Sequence, residues 1–245
     1  MSALSVFRPL RFAQLMLADA TNISRDPMLL IAIVMSLFPS AGLALGRDAL
    51  DQSVLAAFGA GDFSHYLVPV ALLIPAMLIG WVTGFLLLED RDEGTLPALD
   101  ITPVGKRGFL TYRVSVTALV TALVTLLALR LLTPELSVAM AVVMVVLVAA
   151  EAVAAAVVLP ALARNKVEGL ALTKLTNLMG VVPLVAIIAS PLRYLAGILP
   201  PFWIGEALEL SGAPYLPMGV IVVLALLSHA VLIAGLFWLF GRRVG

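Results

Sequence analysis

Six long apolar runs, separated by shorter polar stretches, dominate the hydrophobic pattern of the chain. Each run is about 20 residues long and nearly free of charge, which is the length that a helix needs to cross roughly 30 Å of hydrocarbon. The runs do not alternate between apolar and polar residues, as the strands of a membrane barrel would. The pattern therefore predicts an all-α integral membrane protein with six transmembrane helices, at residues 27–45, 67–88, 108–132, 136–161, 169–189 and 218–240.

The residues before the first run predict a helix that lies along the membrane surface. Within 1–26, apolar residues recur at helical spacing while arginines occupy other positions, which is typical of an interfacial helix. Two domains follow from this division, an interfacial helix at 1–26 and a six-span membrane domain at 27–245. Only a tight turn around Pro134 separates the third and fourth spans, so we expect an antiparallel hairpin there.

One apolar segment, at 191–217, is interrupted by prolines and carries Arg193, Glu206 and Glu209. It is too broken to cross the membrane, and it predicts short re-entrant or interfacial helices before the sixth span. Its aromatic residues Tyr194, Trp203 and Tyr215 would then lie at the depth of the lipid headgroups. The alternative is an ordinary external loop.

The distribution of Lys and Arg predicts the orientation. With the N-terminus in the cytoplasm, every Lys and Arg except Arg47, Arg130 and Arg193 falls in or beside a cytoplasmic segment. Such a bias follows the positive-inside rule. We therefore expect a multi-pass protein of the cell (inner or plasma) membrane with both termini in the cytoplasm.

The amino-acid composition argues against several kinds of partner and site. The chain is 62% hydrophobic and 12% charged, and its formal net charge is zero, so nothing indicates a nucleic-acid partner. It has no cysteine and two histidines, which leaves no thiol nucleophile and no histidine cluster for a metal. We do not expect this chain to be an enzyme, and we expect it to bind no metal.

The cytoplasmic loop at 89–107 concentrates charge, and it reads EDRDEGTLPALDITPVGKR. Gly94-Thr95 followed by Leu96-Pro97 can cap and begin a short helix of about two turns. A small surface of mixed apolar and charged residues suits the docking of a soluble partner, although a charged turn that only orients its neighbours is the alternative. The candidate docking residues are Asp92, Glu93, Gly94, Thr95, Leu96, Leu99, Asp100, Thr102 and Pro103.

This loop resembles a segment of the permeases of type-2 ATP-binding-cassette (ABC) exporters, in which an acidic Glu-Gly-Thr-Leu run precedes Thr-Pro-Val and a basic residue. The stretch ARNKVEGLALTKLTN at 163–177 is similar to the fluoroquinolone or drug-export subgroup. The resemblance implies an N-terminal elbow helix, a cytoplasmic coupling helix between spans 2 and 3, and a re-entrant segment before span 6. It also implies a dimer with a second permease copy or paralogue, and a separate ABC ATPase subunit that carries ATP and Mg.

The sequence itself lacks the loop that a chain needs to hydrolyse ATP. A P-loop reads G-x-x-x-x-G-K-[ST], whereas the one Gly-Lys pair here, Gly105-Lys106, is followed by Arg107. We expect no cofactor on this chain, and we expect ATP and Mg on the partner.

Polar residues inside the spans are candidates for a substrate pathway. Glu151 lies near the middle of the fourth span and His229 at comparable depth in the sixth, so a contact between them is open. They form either a structural polar contact or a substrate or proton site. Gly80 and Gly84 predict close packing of the second span. The weaker pathway candidates are Trp81, Phe85, Thr117, Thr121, Thr125, Asn177 and Met179; the three threonines can equally bond to their own helix.

The sequence thus predicts the membrane subunit of an ATP-driven exporter of a hydrophobic or amphipathic small molecule, such as a drug or a lipid-like compound. The alternative is an ion- or proton-coupled secondary transporter or channel that uses Glu151 and His229.

Overall fold

The computed structural model describes residues 35–94 and 105–244, and this part of the chain is helical with no strand. The α-helices are α1 (Phe38–Phe58), α2 (Phe63–Asp92), α3 (Gly105–Leu132), α4 (Val138–Leu162), α5 (Lys166–Thr176), α6 (Phe202–Ala207) and α7 (Met218–Val244). Two 3-10 helices complete the order, the first 3-10 segment at Asn177–Ile187 and the second at Pro191–Ile198. Five helical stretches among these residues are long and apolar enough to cross a membrane, which makes this a membrane protein: α2, α3, α4, α5 together with the first 3-10 segment, and α7.

Helix α4 lies at the centre of the bundle and packs against α2, α3 and α7. The predicted small-residue contact of α2 is confirmed, because Gly80 and Gly84 face Ala152 and Ala156 of α4. A Cβ atom on Gly80 would collide with the carbonyl oxygen of Ala152, and one on Gly84 would lie 2.8 Å from that of Ala156. The two backbones approach this closely only because neither position carries a side chain.

The predicted hairpin between the third and fourth spans is confirmed. Helix α3 ends at Leu132, and the Thr133 N–H donates to the carbonyl of Leu129 at 2.8 Å. Helix α4 begins after Ser137, whose hydroxyl oxygen accepts a hydrogen bond from the Met140 N–H at 3.2 Å. This N-cap explains why the chain can re-enter the membrane after so few residues.

The helix at the end of the first predicted span is longer than the span. We expected the span to stop at Leu45, and α1 continues beyond it through Arg47 and Asp51 to Phe58. No residue in this stretch breaks a helix until Gly59, which adopts φ 71° and donates its N–H to the Leu55 carbonyl. The start of the first span and the interfacial helix at 1–26 lie outside the described residues.

The predicted loop at 89–107 is also shorter in the structure. Residues Glu89 to Asp92 belong to α2. Glu93 is the C-cap of this helix, and Gly94 follows it with φ 72°. Helix α3 begins at Gly105. The coupling helix expected between them falls largely on residues 95–104, outside the described part of the chain.

The fifth span is not a uniform α-helix. It is α-helical to Thr176 and then continues as the first 3-10 segment, which spans 11 residues. Such segments rarely exceed three or four residues. Pro183 lies inside this segment and removes one backbone donor from it. The expected short helices of 191–217 are present as the second 3-10 segment and α6; their depth in a membrane stays a prediction.

Candidate functional site

An acidic and a basic side chain meet in the middle of the bundle. Glu151 of α4 and His229 of α7 are 5% and 2% exposed, and His229 Nε2 lies 2.9 Å from Glu151 Oε1. The contact that the sequence left open is therefore made.

The hydrogen bonds of His229 determine how many protons this pair holds. Nδ1 lies 2.7 Å from the carbonyl oxygen of Ala225, one turn earlier in α7. A carbonyl only accepts, so Nδ1 carries a hydrogen, and in a neutral ring Nε2 is then a bare acceptor. A hydrogen bond to Glu151 requires one further proton, on the carboxyl group or on Nε2. With that proton the pair is neutral overall, and without it a carboxylate faces a lone pair.

The carboxyl group of Glu151 has no second partner in the described part of the chain, where no hydrogen-bond donor besides His229 reaches it. Burying a carboxylate without several hydrogen bonds is unfavourable. The pair is therefore incompletely satisfied by the protein.

The Glu151 side chain lies in the wall of a cleft of about 670 Å³. This volume falls within the range of roughly 300–1,000 Å³ that is usual for small-molecule sites. Its lining comes from α4, the fifth span, α7 and residues 197–203, together with Met77 of α2. We call this cavity the central cleft.

The lining of the central cleft is almost wholly apolar. Besides Glu151, the side chains that carry a hydroxyl or an N–H group are Thr176, Ser228 and Trp203. Each of these donates to a carbonyl, Thr176 to Leu172, Ser228 to Ala225 and Trp203 to Gly197. Glu151 is therefore the polar group that the cleft leaves available to a ligand.

Some of the predicted pathway residues line the central cleft and others do not. Glu151 and Met179 line the central cleft, and His229 lies directly behind Glu151. Trp81, Phe85 and Asn177 are not among the residues that line it. Phe85 instead packs on Gly169 at the start of the fifth span, where a Cβ atom would lie 3.2 Å from its ring.

The threonines of α3 are buried away from the central cleft. Thr117, Thr121 and Thr125 are each no more than 2% exposed and do not line it. Thr117 donates to the carbonyl of Arg113 at 2.9 Å, and its oxygen lies 2.7 Å from that of Thr83 in α2. Thr117 thus follows the structural alternative of a threonine bonded to its own helix.

Some lining residues were missed by the sequence analysis. Ser228 and Leu227 could have been inferred, since they precede His229 on the same helix. Trp203 and the backbone of Gly197 come from the broken segment, and no spacing in the sequence indicates that this segment folds against α4 and α7.

Next to the cleft, the broken segment is held by a second buried pair. Arg193 Nε lies 2.5 Å from Glu206 Oε1, and Nη2 donates to Glu206 Oε2 at 3.2 Å. Arg193 also donates to the carbonyls of Ile188 and Ala213. Both charged side chains are 1% exposed.

Tyr194 extends this network. Its hydroxyl donates to Glu206 Oε2 at 3.0 Å and accepts from the Tyr215 N–H at 3.2 Å. Burial and the neighbouring Glu206 carboxylate raise the pKa of Tyr194, so the phenol keeps its proton and remains a donor. We call Arg193, Tyr194 and Glu206 the external network, after the side of the membrane on which the sequence predicts them.

At the C-terminal end of α2, Arg91 binds the end of α4. Its Nη1 donates to the carbonyls of Pro160 and Ala163 at 2.8 and 2.9 Å, and its Nη2 donates to that of Arg164 at 2.9 Å. The last carbonyls of a helix have no partner within it, so a guanidinium is well suited to them. We call this set of contacts the Arg91 clasp.

The neighbours of Arg91 strengthen or surround the clasp. Glu89 accepts from Lys166 at the start of α5 at 2.6 Å, and Asp92 pairs with Arg91 at 3.0 Å. Glu93 and Gly94 are exposed and make no ion pair with other described residues. The remaining docking candidates, Thr95, Leu96, Leu99, Asp100, Thr102 and Pro103, lie outside the described residues, so docking stays a prediction.

Comparison with known proteins establishes the family. The family model "Fluoroquinolones export permease protein Rv2686c-like" matches residues 19–237. The chain belongs to this family. The match spans the Arg91 clasp, the central cleft and the external network.

Curated members of the Rv2686c-like family are similar over most of their length. The fluoroquinolones export permease proteins Rv2686c and MT2760, from Mycobacterium tuberculosis strains H37Rv and CDC 1551, are each 27% identical to this chain over 220 residues. The alignments cover 85% of this chain and 87% of each relative. No solved structure matches the chain significantly. Since these relatives are named permeases, the family resemblance is to transport proteins rather than to enzymes.

Proposed function

We propose that this chain is the membrane subunit of an ATP-driven ABC exporter that moves a hydrophobic or amphipathic small molecule, drug-like or lipid-like, out of the cell. ATP and Mg are held by a separate ATPase subunit, and a second permease copy or paralogue completes the transporter. The complex resides in the cell membrane with both termini of this chain in the cytoplasm. The names of the relatives, which are fluoroquinolones export permeases, support the direction and the drug-like cargo.

The observation that carries the proposal is the central cleft. It is large enough for a small organic molecule, its walls are apolar, and it extends along two spans that come from different parts of the chain. A ligand would exchange bilayer for apolar protein walls with little loss of hydrophobic burial, which suits a cargo that already partitions into the membrane. A sugar or a hydrated ion would find a single carboxyl group there.

The Arg91 clasp supports coupling to an ATPase subunit in the cytoplasm. The loop at 93–104 leaves α2 directly beyond the clasp, and the clasp joins this end of α2 to α4 and, through Glu89 and Lys166, to α5. Helices α4 and α5 contribute to the walls of the central cleft. A displacement of the loop by a docked ATPase would therefore reach the cleft through covalent and hydrogen-bonded connections.

The first experiment is purification of the tagged protein from its host in mild detergent, followed by mass spectrometry and an ATPase assay. We expect a stoichiometric P-loop ATPase to co-purify and to hydrolyse ATP. Glu93→Lys should weaken this association, whereas Glu135→Lys, at the exposed turn of the opposite face, should not. Recovery of the protein alone and without ATPase activity, from cells that express the partner candidates, would overturn the proposal.

The Glu151–His229 pair favours one second candidate, a proton-coupled transporter. This candidate predicts uptake or efflux driven by a pH gradient in proteoliposomes that contain this chain alone. Glu151→Gln should abolish that transport and Glu93→Lys should leave it unchanged. Transport that requires ATP and the partner subunit would exclude this candidate.

A further inference from the structure

We propose that the central cleft binds a lipophilic cation, with Glu151 as its counter-ion, and that binding releases the proton that Glu151 and His229 share. This inference rests on the proposed function and names the class of cargo. It depends on three observations: the unsatisfied carboxyl group, the fixed tautomer of His229 and the apolar walls.

The charge of the ligand follows from the lining. The other polar side chains of the cleft are already bonded to carbonyls, so a neutral polar ligand finds no free donor there. An anion would bring a negative charge into an apolar space whose lining offers no cationic side chain to balance it. A cation gains a carboxylate partner that is screened very little, because the site is buried. A large apolar body on that cation would fill the remaining volume.

Charge balance explains the release of a proton. Before binding, Nδ1 keeps its hydrogen on the Ala225 carbonyl, and the 2.9 Å contact between Nε2 and Oε1 is favourable when one further proton lies between them, which makes the empty pair neutral. When a cation arrives, that proton passes to water and leaves a carboxylate and a neutral imidazole. The site changes from zero to one negative charge while the ligand brings one positive charge, so the occupied cleft is again neutral. No net charge is buried at either stage.

No other ionisable side chain replaces Glu151 in this role. Among the residues that line the cleft, Glu151 alone is ionisable. The elements packed around it carry charged residues elsewhere: Glu89, Asp90, Arg91 and Asp92 at the end of α2, Lys106, Arg107, Arg113 and Arg130 on α3, Lys166, Glu168 and Lys174 on α5, Glu206 on α6 paired with Arg193, and Arg242 and Arg243 on α7. None of these lines the cleft.

The test uses the purified permease in nanodiscs and two ions of the same shape, tetraphenylphosphonium and tetraphenylborate. Calorimetry in two buffers of different ionisation enthalpy gives both the affinity and the number of protons released. We expect the phosphonium to bind above the level of empty nanodiscs and to release about one proton at neutral pH, and the borate to remain at the empty-nanodisc level. Neither ion carries an exchangeable proton, so any released proton comes from the protein.

Variants assign the effect to the pair. Glu151→Gln should lower the phosphonium affinity about tenfold or more and abolish proton release, which corresponds to losing one charged contact. Glu135→Gln removes a carboxylate at the exposed turn between α3 and α4, outside the cleft, and should bind as the wild type does. Equal binding of both ions, wild-type affinity in Glu151→Gln, or binding without proton release would each overturn the inference. Because the permease is tested alone, these outcomes are independent of whether an ATPase co-purifies.

Discussion

The two buried acid–base pairs of this chain differ in how completely their polar atoms are bonded. In the external network, Glu206 receives Arg193 through two nitrogens and the hydroxyl of Tyr194, and Arg193 reaches two further carbonyls. At Glu151, His229 is the one described donor, and one side of the carboxyl group borders a cleft of about 670 Å³.

This difference separates a structural pair from a chemically available one. A pair that is held by several further hydrogen bonds has little hydrogen-bonding capacity left for a ligand and loses much stability when one member is removed. An incompletely bonded pair beside open space contributes less to folding stability, and it can gain or lose a proton or bind another partner. Burial is nearly the same at the two sites, so burial alone does not distinguish their roles.

The largest effect on stability should come from Glu206→Gln. This change leaves the Arg193 charge buried without its counter-ion, which destabilises a protein by about 3–5 kcal/mol. The measurement is unfolding in mixed micelles, followed by circular dichroism. The double variant Arg193→Met with Glu206→Leu should recover much of the loss, since it removes both charges. If Glu206→Gln unfolds like the wild type, the external network does not hold the segment.

A smaller loss should follow from Gly205→Ala, which disturbs the same network without touching a charge. A Cβ atom at Gly205 would collide with the carbonyl oxygen of Pro183, so α6 must move off the fifth span. Overpacking of this kind is unfavourable by about 1–3 kcal/mol. The matched control is Gly219→Ala in α7, where no atom lies within 4 Å of an added Cβ. Equal unfolding of the two variants would contradict the close packing of α6.

Glu151→Gln should reduce the unfolding free energy by no more than about 1 kcal/mol, because the amide can still donate to His229 Nε2 and no charge is left unpaired. The same unfolding assay compares the unfolding free energies of Glu151→Gln and Glu206→Gln. A loss as large as that of Glu206→Gln would show that both pairs are structural.

The smallest effect concerns a bonded but exposed carboxylate. Asp51 accepts from the Ser64 hydroxyl at 2.7 Å and the Ser64 N–H at 2.6 Å, and these bonds lower its pKa from the ordinary 3.8. Its contribution to stability is therefore complete above the ordinary value and is lost as the pH falls through the lowered value.

Melting temperatures measured from pH 7 down to pH 3 provide the check. The wild type should melt slightly above Asp51→Asn at pH 7, and the difference should shrink at the acid end. Asp48→Asn, an exposed neighbour on α1, is the control and should show no comparable trend. A difference that does not change with pH would indicate that Asp51 acts through packing.

The helices were largely predictable because each needs one long apolar run. Five of the six predicted spans coincide with helices long and apolar enough to cross a membrane. The end of α1 was missed because Arg47 and Asp51 interrupt the apolar run without interrupting the helix, and hydropathy reports the first property only. The 3-10 segment was missed because its composition is that of an ordinary apolar span.

The candidate site was only half predictable. Glu151 and His229 stand out as ionisable residues in apolar runs at similar depth, which suffices to expect a contact. The cleft and the external network depend on how residues 191–217 fold back, and proline-broken segments have no period from which to infer that. The Arg91 clasp was hidden for a different reason, since its acceptors are backbone carbonyls and leave no trace in the sequence.

The clasp also determines which parts of the bundle can move. Arg91 joins α2 to α4 at the C-terminal ends of the two helices, and Gly80 and Gly84 pack against α4 nearer the middle of α2. Two attachment points on one pair of helices make a rigid body, so a force applied there rotates both together. The compliant element beside them is the 3-10 stretch of the fifth span, whose hydrogen bonds are poorer than those of an α-helix. We therefore expect the cleft to open on the side of the 3-10 stretch, with a hinge near Asn177.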